Sequence, residues 1–188
     1  MNLVIDFNKR YSVVDYLSWN DNIRRELIDG AVKLMAGVND LHNRATLALA
    51  RLYNYIFERT PPDKFYFFFP PFDVFLSDSD VVQPDFGIVC DFSKVTDNGV
   101  NGTPDFLVEI LSPASLKRDA YEKFALYEKF GVREYWIINP RENCINVFIL
   151  QPDGKYDNGT HYDLNQNLDI PISIVEDLKI KVSDIFKE

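Results

Sequence analysis

Three side chains have the types and positions to act on one reacting centre: Asp85, Glu109 and Lys123. Glu109 stands out first. It sits inside Phe106-Leu-Val-Glu-Ile-Leu111, an otherwise apolar run, and a charge there is costly unless it is paired or holds a metal. Asp85 follows Pro84 at the start of another strand-like run, and Lys123 lies on the helix expected after Glu109. Two carboxylates converging from strand ends make a hard-oxygen site. Such a site suits Mg²⁺ or Mn²⁺, which take a couple of carboxylates plus water and phosphate. A divalent ion there would activate water, and a nearby lysine would offset charge in the transition state. That is the equipment for hydrolysing a phosphodiester. Each residue also has a plainer reading. Asp85 can be a strand-entry turn acid. Lys123 can be an exposed helix lysine paired with Asp119, four residues earlier on the same face. Glu109 resists such a reading best.

The elements that must position these groups follow from periodicity and turn chemistry. Tyr11 to Asn20 reads as a short helix. Asp29-Gly30 is a hairpin signal, because both turn positions tolerate positive φ, so two strands are expected at about 23–28 and 31–36. Leu41, Ala45, Leu49, Leu52 and Ile56 recur at spacings of three and four, the pattern of an amphipathic helix ending at Thr60-Pro61-Pro62. Strand material follows at 65–76, broken by Pro70-Pro71, and at 81–90. A polar loop is expected over 91–103. Ser112-Pro113 stops the Glu109 strand, with Ser112 or Ser115 available to cap the next helix. That helix runs to Phe130, its apolar stripe is Leu116, Ala120, Phe124, Tyr127 and Phe130, and Gly131 ends it. Two apolar strands, 105–111 and 133–139, joined by a helix imply a parallel, right-handed crossover. Cys144 to Leu150 pairs next, and the remainder is a β-rich tail. The fold class is α/β, a mixed sheet flanked by helices, with an N-terminal hairpin.

Composition narrows the class. At 188 residues, with 46% apolar and 14% aromatic side chains, one domain over 1–188 with its core at about 23–150 is expected. The net charge of −9 argues against broad nonspecific nucleic-acid binding, though not against a local basic groove. The positive groups nearest the candidate site in sequence are Arg24-Arg25, Lys33 and Lys117-Arg118. Two cysteines, Cys90 and Cys144, lie in apolar runs and read as buried thiols. Two histidines and no Cys-x-x-Cys pair leave no zinc pattern. No Gly-rich phosphate loop is present. No run approaches the length of a membrane span, and the N-terminus lacks a basic-then-apolar leader. A cytoplasmic location is the expectation.

Five motifs occur together and in order: Glu26-Leu-Ile-Asp-Gly30, Gln83-Pro-Asp-Phe-Gly-Ile-Val89, Phe106-Leu-Val-Glu-Ile-Leu-Ser-Pro113, Asp119 with Lys123 and Tyr127, and Gly131-Val-Arg-Glu-Tyr-Trp-Ile-Ile-Asn-Pro140. The set resembles the bacterial family of putative restriction endonucleases, formerly a domain of unknown function and expanded in cyanobacteria, within the PD-(D/E)XK nuclease superfamily. The resemblance covers about residues 10–186. It implies a restriction-endonuclease-like core and a metal-dependent DNA endonuclease, with Asp85 and Glu109 as metal ligands. The superfamily's lysine normally lies two residues after that acid, where this chain has Leu111. Lys123 fits the family's migrated position on the following helix. Glu26 matches an upstream acid that completes the metal shell, His42 matches a histidine that contacts water or phosphate, and Asp119 is a further auxiliary candidate. A homodimer is expected from the resemblance, with some support from the aromatic run Phe65 to Phe75. The alternative reading is a nuclease fold retained as a binding module without catalysis.

Overall fold

The computed structural model describes residues 5–35, 40–111 and 118–186, and only the backbone of 41, 42, 44 and 118–120. Ser12 and Asp15 exchange side-chain-to-backbone bonds in a capping box that starts α1 (Val13–Ser18). β1 (Arg25–Ile28) and β2 (Ala31–Leu34) form the expected hairpin. Asp29 (φ 50°) and Gly30 (φ 70°) both take the left-handed conformation that a two-residue turn of this hand requires. α2 (Asp40–Phe57) buries Ala45, Ala48, Leu49, Leu52 and Ile56, the expected stripe apart from Leu41, whose side chain lies outside the described residues.

β3 (Tyr66–Phe68) and β4 (Asp73–Ser77) flank the proline pair. The strand expected over 81–90 is two strands, β5 (Asp80–Val82) and β6 (Phe86–Val89), lying in different sheets. Pro84 has no N–H to continue a ladder, so Gln83-Pro84-Asp85 becomes the crossing between sheets. The expected loop over 91–103 contains β7 (Val95–Thr96) and β8 (Gly99–Asn101), with β8 parallel to β4. These strands are too short to leave a periodic signal in a polar stretch. β9 (Phe106–Ile110) follows, then a π-helical turn (Arg118–Lys123) leading into α3 (Phe124–Phe130). The proposed Ser112 and Ser115 caps lie outside the described residues. Gly131 ends α3 at φ 79°. β10 (Glu134–Asn139), β11 (Cys144–Ile149), β12 (Thr160–Asp163), β13 (Asp169–Pro171), β14 (Lys179–Lys181) and α4 (Val182–Ile185) complete the chain.

The first sheet has the order β2-β1-β5-β4-β8-β7 and the second β12-β11-β10-β9-β6-β3. β9 and β10 are parallel, as the crossover requires, and β6 and β9 are antiparallel. Side chains alternate across β9. Phe106, Val108 and Ile110 join α2 and the C-terminal tail in one core, while Leu107 joins a second core with Leu126, Tyr127, Tyr135 and Ile137. Ile170, Ile172, Ile174, Ile180, Val182 and Ile185 bind the tail to the first of these. Glu134 anchors it further: the buried carboxylate accepts from Trp136 Nε1 at 2.6 Å and from the Ser173 N–H at 2.7 Å. Burial nonetheless pushes its pKa up. The aromatic run at 65–75 is spent largely inside. Phe65, Phe68 and Phe75 are buried, and Phe67 packs on Tyr53, Phe57 and Phe86. It therefore offers no independent sign of a covered dimer face. Cys90 is half-buried and Cys144 buried, both as free thiols with pKa pushed up to about 11 by burial. Among the described residues no helix is long and apolar enough to cross a membrane.

Candidate active site

The two sheets meet where β1, the Gln83–Asp85 crossing, the end of β9 and the π turn come together. Glu109 lies on the Leu107 face of β9, turned away from α2 and toward α3 by the period-two alternation. Glu26 arrives from β1 of the other sheet. Between them stands Lys123: its Nζ is 2.8 Å from Glu26 Oε1 and 2.7 Å from Glu109 Oε1. The side chains of Lys123, Glu26 and Glu109 are 1%, 0% and 3% exposed. The plainer reading of Lys123 as an exposed helix lysine is thereby overturned. A buried ammonium bonds acids from two sheets, whereas the Asp119 side chain lies outside the described residues.

Two further donors hold these acids. Tyr127 lies one helical turn past Lys123, on the same face, and its hydroxyl donates to Glu109 Oε1 at 2.7 Å. Burial, followed by the Glu109 charge, drives the Tyr127 pKa well above its usual value, so the phenol keeps its proton and serves as a donor. The backbone N–H of Gln83 donates to Glu26 Oε1 at 2.9 Å. The sequence sets Tyr127 both in the apolar stripe and in a motif with Lys123, without a role at the site, and Gln83 in a motif without a role of its own. The four-residue interval between Lys123 and Tyr127 was the available signal for the first. None existed for the second, because it acts through its main chain. Of the expected stripe, Tyr127 is buried and Phe124 and Phe130 are half-buried against the same core, joined by Leu126, while the side chains of Leu116 and Ala120 lie outside the described residues.

Asp85 is half-buried in the crossing, and its Oδ2 accepts from the Ile110 N–H at 2.8 Å. That bond fastens Asp85 to the backbone of the strand residue after Glu109. The His42 side chain lies outside the described residues. Lys33 Nζ is 2.7 Å from Glu122 Oε2, tying the hairpin to the π turn that carries Lys123.

The donor set consists of carboxylate oxygens. Among the described residues no group of three or more His, Cys, Asp or Glu side chains is gathered as a metal cluster. A hard divalent ion that keeps several waters needs only one or two carboxylates, and the acids present fit that requirement by type. Because Tyr127 bonds a buried charge, Tyr127→Phe is expected to lower stability by about 1.5–3 kcal/mol while its ring keeps the edge contact with Tyr135. Urea unfolding checks this; an unchanged midpoint means that Glu109 finds another donor.

Comparison with known proteins adds two findings. Residues 13–183 match the model of the Uma2 family, described as "Putative restriction endonuclease". A solved structure from Anabaena variabilis ATCC 29413, described as a putative nuclease belonging to DUF820, superposes with a TM-score of 0.73 at 19% identity, over 93% of this chain and 97% of that one. No curated protein matches.

Proposed function

Since this chain belongs to the Uma2 family of restriction-endonuclease-like proteins, we propose that it is a metal-dependent endonuclease that hydrolyses phosphodiester bonds in DNA. Asp85 and Glu109, with Glu26, would hold Mg²⁺ or Mn²⁺. When bound, that ion supplies positive charge for the phosphate oxygens and the attacking water. Lys123 offsets charge that develops on the phosphate and orients the water. Gln83 and Tyr127 keep the two glutamates in place by hydrogen bonds. A homodimer, and roles for His42 and Asp119, rest on the family resemblance alone.

The observation that carries this reading is the meeting of Glu26 and Glu109 on one buried lysine, with Asp85 bonded to the backbone of the residue after Glu109. Acids from two sheets converge there, with Lys123 offsetting their charge. Supercoiled plasmid incubated with Mg²⁺ or Mn²⁺ is expected to be nicked or linearised, with activity abolished by EDTA and by Asp85→Asn. Plasmid left intact in both metals, by protein that still binds DNA, would replace this reading with that of a noncatalytic binding module.

A further inference from the structure

With a net charge of −9, a polyanionic substrate must be met by cations placed locally. The site face of the hairpin carries two. Arg24 directly precedes β1 and continues the hairpin pairing, its carbonyl accepting from the Met35 N–H at 3.2 Å, so alternation sets it on the same side as Glu26, and strand register sets Lys33 directly opposite Glu26. Lys33 is already committed to Glu122. Arg25, on the other face, is buried over the Trp19 ring and bonded to Asp21. Arg24 is different: it is exposed, and its Nε donates to Gln83 Oε1 at 3.0 Å.

Gln83 is itself held. Its Nε2 donates to Asp73 Oδ1 at 2.7 Å, and Tyr16 donates to the same oxygen at 2.9 Å. Through its backbone N–H, Gln83 also holds Glu26 Oε1 at 2.9 Å. One residue therefore sets both an acid of the site and the exposed guanidinium beside it. With Nε on Gln83, the terminal NH₂ pair is the edge that matches a phosphate in two-point contact. Restraint before binding reduces the side-chain entropy lost on binding.

We infer that Arg24 is a substrate phosphate anchor, gripping a backbone phosphate beside the one under attack, and that Gln83 is the positioning residue that aligns it with Glu26. The inference rests on the nuclease reading and assigns the nucleic-acid contact which that reading leaves open.

The test is binding of a short mixed-sequence DNA duplex by fluorescence anisotropy across a salt series, with Ca²⁺ in place of Mg²⁺. Arg24→Ala is expected to weaken binding on the order of tenfold and to reduce the slope of log K against log salt by about one. Arg24→Lys and Gln83→Leu retain the charge, so the slope is kept while affinity falls. Arg59→Ala, at an exposed arginine stacked on Tyr55, is expected to behave as wild type. An Arg24→Ala protein with wild-type affinity and slope overturns the inference, as does an equal loss in Arg59→Ala. A wild type that binds no duplex removes the nuclease reading itself, and the inference with it.

Discussion

Lys123→Met is expected to destabilise the protein by about 3–5 kcal/mol, measured as a fall in the free energy of urea unfolding. Methionine keeps most of the unbranched stem but not the charge. The ammonium stands between two carboxylates that are almost wholly removed from water. Without it, two like charges face each other in a medium where their desolvation is no longer offset. Tyr127 and the Gln83 N–H still donate to them, but neither carries a positive charge. A second change should therefore recover part of the loss. Adding Glu109→Gln to Lys123→Met leaves one buried charge where there were two, so the double variant should be more stable than the single lysine variant. Such non-additivity is the mark of groups in direct contact. Coincident midpoints for wild type and Lys123→Met would mean that water reaches the triad and screens it.

Glu109→Gln alone is expected to leave the fold nearly intact and to cut plasmid cleavage by roughly 10³-fold. The amide can still accept from Tyr127 and Lys123, and Lys123 keeps Glu26. What is lost is the anionic oxygen proposed to hold a divalent ion. Charge stabilisation of several kcal/mol is at stake, and each 1.36 kcal/mol is tenfold in rate, which gives the magnitude. The comparison with Tyr127→Phe is informative, because that change should lower stability more than Glu109→Gln does and lower activity less. Wild-type cleavage by Glu109→Gln would remove this residue from the chemistry.

The candidate site was legible to the extent that its chemistry is local. Glu109 declared itself by being a charge among Leu107, Val108, Ile110 and Leu111. The Asp29-Gly30 turn located β1 and thus Glu26, and Gly131 located the end of α3. The β9–helix–β10 crossover followed from two apolar runs and the segment between them. In each case a few adjacent residues carry the whole physical reason: a turn that requires positive φ, a buried charge that requires a partner, a parallel pair that requires a long connection.

What tertiary structure alone decided is which remote groups meet. Residues 81–90 read as one strand, yet the segment divides between two sheets at Gln83-Pro84-Asp85. That division lets β1 present Glu26 to Glu109 across the junction. Lys123 had one acid four residues away in sequence, and nothing there told that its ammonium also sits on Glu26 and Glu109. Gln83 entered the site through a backbone N–H that every residue except proline possesses. The short strands β7 and β8 left no periodic trace either, and the stripe that buries Tyr127 could not tell that its hydroxyl meets Glu109. Periodicity reports which face of an element is buried. It cannot report what lies across that face, because that is a distance between residues far apart in the chain, set only when the two sheets pack.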